Sequence, residues 1–140
     1  MYTIVAEGVP FIALAALAAC ITMAWRWGGR DERLTALAFT IATFASGFAN
    51  TSHYGHVELG VLAIDFLLLA GLLLLALKSD RFWPIWACAF QLVGTSVHIA
   101  SMTETGNFAW AYAVGLIFWS YAVMAALMAG TWLEARFRSR

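Results

Sequence analysis

Apolar residues run through this chain in long blocks, each interrupted by a short polar cluster. A helix rises about 1.5 Å per residue, so about 20 apolar residues cross the core of a bilayer. Five blocks reach or approach that length, over residues 3–27, 34–50, 59–77, 83–102 and 108–133. The second is the shortest and is rich in Thr, Ser and Gly. The breaks are short, so successive helices should lie antiparallel and side by side. The pattern predicts an all-α integral membrane protein, a five-helix transmembrane bundle forming one domain over residues 1–140. The first block holds Glu7, has no basic run before it, and is followed by Arg26, Trp27, Gly28 and Gly29. It reads as a permanent span rather than a cleaved leader.

Charge orients the bundle. The eight basic residues fall in three places: Arg26, Arg30 and Arg33 around the first break, Lys78 and Arg81 around the third, and Arg136, Arg138 and Arg140 at the end. With five spans, all three places share one side of the membrane, and the positive-inside rule makes that side cytoplasmic. The N-terminus is then outside and the C-terminus in the cytoplasm. Four spans would break the alternation. Aromatic residues fit the same frame. Trp25, Trp27, Trp83, Trp86 and Trp132 fall at inner ends, and Tyr2, Tyr54, Trp110 and Tyr112 at outer ends, as headgroup anchors do. Trp119 and Tyr121 lie near mid-span. They point about 200° apart, so at least one enters the bundle, and Trp119 is expected inside because it shares a stripe with Tyr112 and Gly115.

Composition agrees with the pattern. Of 140 residues, 63% are hydrophobic and 11% charged, against about 45–50% and about 25% in soluble domains. Net charge is zero, which gives no ground for nucleic-acid binding. Cys20 and Cys88 sit in apolar blocks without a CxxC partner and read as small buried thiols.

The polar groups collect on the outer side. The stretch "NTSHYGHVELG", residues 50–60, carries His53, His56 and Glu58. Glu7 and Glu104 share that side, and His98 lies near the outer end of the fourth block. Asp65 lies inside the third block, about 10 Å below Glu58. An ionised carboxylate at such depth costs about 2.5–3.5 kcal/mol on insertion scales, so it should face protein. Asp65 and His98 are nearly symmetric about the turn near Asp80, and antiparallel packing puts them at one depth. His98 is therefore the expected partner. Cys88, Gln91, Thr95, His98 and Met102 form one face of the fourth helix, and Thr40, Thr43, Gly47 and Asn50 one face of the second. These faces should meet each other or the third helix, since lipid cannot satisfy amides or imidazoles.

These residues define two candidate sites. Asp65, His98, Gln91 and Glu7 form a candidate ligand or proton site. His53, His56, Glu58 and His98 form a candidate transition-metal site, since imidazole and carboxylate ligands from different helices hold metals in bundles. A b-type haem would take His98 with His53 or His56 as axial pair. A proton-coupled transporter would titrate Asp65 or Glu7. Cys–His and Ser–His–Asp enzymes are poorly supported, because the cysteines lie in the inner half and the histidines in the outer half.

The segment "SDRFWPIWACAFQLVGTSVH", with "HVELGVLAID" before it and "WAYAVGLIFWSY" after it, resembles a group of short bacterial inner-membrane proteins. The likeness covers roughly the last three helices and is loose over the first two. It implies a small multi-pass protein of the bacterial inner membrane and carries over no catalytic residue. The functional expectation is a non-enzymatic accessory or structural subunit of a larger inner-membrane assembly, in contact with lipid and with other membrane subunits. The alternative is a self-contained metal-binding, haem-binding or transport protein built on the outer cluster.

Overall fold

The computed structural model describes residues 2–49, 59–103 and 109–138, with side chains over 11–46, 59–100 and 114–138. Five helices account for nearly all of them, and no strand occurs among the described residues: α1 Tyr2–Arg26, α2 Arg30–Ala49, α3 Leu59–Lys78, α4 Trp83–Thr103 and α5 Ala109–Arg138. α2 begins at Arg30, four residues before its apolar block, so it takes in the charged run Arg30–Arg33. Chemistry at the turn explains this. Glu32 Oε2 accepts the Gly29 N–H at 2.7 Å, and the Arg33 N–H reaches the Gly29 carbonyl at 3.2 Å. Gly29 is thus the cap, and Glu32, three residues on, reaches back to it as one half of a capping box. Asp31 and Glu32 also face the positive end of the helix dipole. At Gly28 a side chain would run into the Ala24 carbonyl and come within 2.8 Å of the Glu32 Cβ, so the turn closes only with glycine there.

The helices form a closed ring. Each packs against its neighbours in sequence, α5 returns to α1, and α2 touches α5 across the middle. The buried positions recur at helical spacing: Leu17, Cys20 and Ala24 on α1, Glu32, Thr35, Ala36 and Phe39 on α2, Ala87, Gln91, Thr95 and His98 on α4, and Val123, Leu127 and Thr131 on α5. Most of the apolar core lies at the end of the bundle where α1 finishes and α2 starts.

α3 and the stretch Val114–Arg138 of α5 are long and apolar enough to cross a membrane, and Phe11–Arg26 is a shorter apolar helix. α3 turns little of itself inward. Leu67 is 74% exposed and Leu77 75%, while only Leu72 is buried.

Two expectations need correction. The stripe of Thr40 and Thr43 does not carry α2 into the bundle. Their hydroxyls donate to the Ala36 and Phe39 carbonyls at 2.7 and 2.8 Å, and Thr43 is exposed. A helical hydroxyl satisfied by its own backbone has no need of a partner across the bundle. The face that enters is the one bearing Glu32, Thr35, Ala36 and Phe39. The Gly47 side and Asn50 lie outside the described residues. The second correction concerns Trp83, which is not a headgroup anchor. It is 4% exposed, and its ring is seated against Gly130 of α5, where any side chain would overlap it. Trp25, Trp27, Trp86 and Trp132 are exposed as expected. Trp119 enters the bundle, meeting Gly94 and stacking at 6.0 Å from Phe90. Tyr121 is also half-buried, on the core side.

Candidate functional site

Two polar clusters lie between the helices, one toward each end. One, toward the end where α3 begins, joins α3 to α4. Asp65 Oδ2 lies 3.1 Å from His98 Nδ1, and Asp65 Oδ1 accepts a longer bond from Gln91 Nε2 at 3.4 Å. Residues seven apart on α4 thus hold the two oxygens of one carboxylate, which the two-turn repeat permits. Between them the Thr95 hydroxyl returns to the Gln91 carbonyl at 2.9 Å. The side chain of His98 is 8% exposed and that of Asp65 is 24% exposed. In the tautomer whose Nδ1–H donates to the carboxylate, Nε2 of a neutral ring is an acceptor. The pair can therefore orient an imidazole, the second-shell arrangement of metal-binding histidines, or share a proton.

The structure brings together Asp65, Gln91 and His98. Glu7 lies on α1, but its side chain is outside the described residues, as are His53, His56 and Glu58 altogether. Among the described residues no three His, Cys, Asp or Glu side chains converge as a metal site would require. Asp65 and His98 supply two. Cys20 is buried and Cys88 half-buried, and both are free thiols.

The second cluster, at the end where α2 begins, centres on Glu32, whose side chain is fully buried. Arg81, from the turn between α3 and α4, binds its Oε1 directly, and the Trp83 indole N–H donates to the same oxygen at 3.1 Å. Oε2 holds the Gly29 N–H. Arg81 also reaches Glu134 of α5 at 3.3 Å and lies 3.9 Å from Asp31. One carboxylate thereby ties the α1–α2 turn, the α3–α4 turn and α4, and its arginine adds α5. Burial alone pushes the Glu32 carboxyl upward, and that is the largest single influence on it. The bond and charge of Arg81, with the backbone N–H groups, together outweigh it and hold the group below the usual carboxylate range. Arg81 is correspondingly held in its charged form by Glu32.

Nothing in the hydrophobic pattern marked Glu32, Arg81 or Glu134. One local signal was available: a glutamate three residues after a glycine pair, at the start of a helix, is the sequence sign of a capping box. That sign places Glu32 at the turn without revealing Arg81. Comparison with known proteins finds no match, whether to a family model, a characterised protein or a solved structure.

Proposed function

We propose that this chain is a multi-pass protein of the bacterial inner membrane, with all five helices spanning, that serves as a non-enzymatic accessory or structural subunit of a larger assembly. The observation that carries this reading is the surface of α3. It is the most apolar helix of the chain, yet Phe66, Leu67, Leu74 and Leu77 point away from the bundle. In water such a face is a liability. In a bilayer it is a surface for lipid or for another subunit's helix. The polar side chains support the same role. Glu32 and Asp65 are engaged in fastening helices to one another, and among the described residues no buried side-chain nitrogen or oxygen lacks a partner.

The test is purification from membranes in a mild detergent, followed by a mass measurement of the intact particle and identification of its components. A subunit of 15.3 kDa should run in a particle several times that mass, with the same partner proteins in repeated preparations. A monodisperse single chain would overturn the accessory role.

A second reading rests on the outer cluster. Asp65 is held by two α4 side chains yet keeps part of its surface open, which suits a ligand or proton site better than a sealed clasp does. Metal analysis and an absorption spectrum of the same preparation test it. Stoichiometric metal or haem that disappears in Asp65→Asn, with the fold retained, would establish this reading.

A further inference from the structure

A groove of about 450 Å³ runs between α2 and α3 and opens to the outside of the bundle. From Leu67 to Lys78 it follows α3 over eleven helical steps, about 17 Å at the rise of a helix. Its walls are leucine and alanine over most of that length. Polar groups gather at one end only, where Asp31 and Thr35 of α2 face Lys78 and Ser79 at the end of α3. We propose that this groove binds one phospholipid with a zwitterionic, primary-ammonium headgroup, phosphatidylethanolamine in type. An acyl chain would lie along α3 and the headgroup would sit between Lys78 and Asp31. The inference rests on the membrane reading given above.

Gly71 supplies the first argument. It lies in the middle of α3, where glycine is worse than alanine for a helix. Glycines elsewhere in the bundle are explained by a close neighbour: Trp83 at Gly130, Trp119 at Gly94 and Val97 at Gly115. At Gly71 an added Cβ would meet nothing within 4 Å. No packing contact requires the glycine, and what it opens is the floor of the groove. An amphipathic occupant with a long apolar part uses that space, whereas water would gain no partners from its leucine walls.

The charges at the mouth choose the headgroup. Lys78 is exposed and makes no ion pair among the described residues. Asp31 is one-third exposed, and its 3.9 Å separation from Arg81 Nε is longer than a hydrogen bond. A phosphate fits Lys78, whose stem can run along apolar surface while its ammonium reaches the headgroup level. A purely anionic headgroup would leave a second negative group beside Asp31. A primary ammonium answers Asp31 with N–H donors. A choline headgroup carries a positive charge but no N–H to donate.

Native mass spectrometry of the full chain in detergent tests this, with phosphatidylethanolamine, phosphatidylcholine or phosphatidylglycerol of identical acyl chains added in turn. One phosphatidylethanolamine per chain should survive at collision energies that strip the other two. Gly71→Phe should lower that adduct at least tenfold while elution and thermal unfolding stay as in the wild type. Asp31→Asn should erase the preference for ethanolamine over choline, and Lys78→Met should weaken all three lipids. Should Gly71→Phe fail to fold, the Asp31 and Lys78 variants decide. Phosphatidylglycerol held as firmly as phosphatidylethanolamine would overturn the headgroup assignment. Wild-type binding by a folded Gly71→Phe variant would overturn the groove. A chain that fractionates with membranes but retains no phosphatidylethanolamine defeats the groove alone, and a chain found in the soluble fraction without detergent defeats the membrane reading beneath it.

Discussion

Glu32 is the residue on which most bonds converge. An acid buried with its partners in place is tolerated, whereas the same acid stripped of its cation costs about 3–5 kcal/mol. Arg81→Met should therefore destabilise strongly, and Glu32→Gln less, because glutamine retains a carbonyl oxygen for the donors. Unfolding in detergent, followed by tryptophan fluorescence, measures both. The carboxyl of Glu32 is held below its ordinary range in the folded chain. Its contribution is thus fully present above the unfolded value of about 4.3 and fades as pH falls below that toward the folded value. Glu32→Gln should flatten the acid limb of the stability curve. An unchanged acid limb would show that other carboxylates govern it. Asp65 separates two roles by a different measurement. As a clasp alone, Asp65→Asn keeps a hydrogen-bond partner for His98 and should cost about 1–3 kcal/mol of stability, with metal and haem content unaltered.

Glycines within the helices have opposite meanings at the level of the element. Gly130 lets α5 approach the Trp83 ring, and the overlap that a side chain would create involves the ring base and Cβ, which cannot swing aside. Gly130→Ala should cost about 1–3 kcal/mol as an overpacked contact between α4 and α5. Gly71→Ala adds a methyl to open space and removes backbone freedom from the unfolded chain, so it should stabilise by about 0.4–1 kcal/mol. The two variants measured side by side should move the unfolding midpoint in opposite directions. Equal shifts of the same sign would contradict this account of the two interfaces. The same scale shows what a sequence makes legible. The α3–α4 register could be read because a short turn fixes it, which is why Asp65 and His98 could be matched by counting outward from Asp80. On α4, Gln91 and His98 show the inward face correctly because an amide and an imidazole cannot be satisfied by their own helix, and Thr95 lies on that face by its spacing between them. Threonine can, and the α2 stripe misled for that reason. Glu32, Arg81 and Trp83 stayed hidden because charged and aromatic residues at a break between apolar blocks look like solvated ends. Only the three-dimensional meeting of two turns, 49 residues apart, buries them. The groove was equally invisible, since Gly71 stands in an unbroken apolar run.

For the whole molecule the decisive question is which side each end faces. The placement of the basic residues predicts that Arg30 lies in the cytoplasm and Val57 outside. In a background lacking Cys20 and Cys88, an impermeant thiol reagent added to intact cells should label Val57→Cys and spare Arg30→Cys. The reverse pattern would invert the topology, and with it the leaflet that the α2–α3 groove would face.

The Glu32 clasp also has a consequence for how the chain is made. Glu32 precedes its distant partners in the chain, and the first partner it can find is Gly29, three residues before it. Arg81 and Trp83 follow only after α3, and Glu134 only within α5. The first helical hairpin thus carries an acid that it cannot by itself seal. In a chain inserted as proposed, that acid would be best served by water at the membrane edge until the second turn arrives.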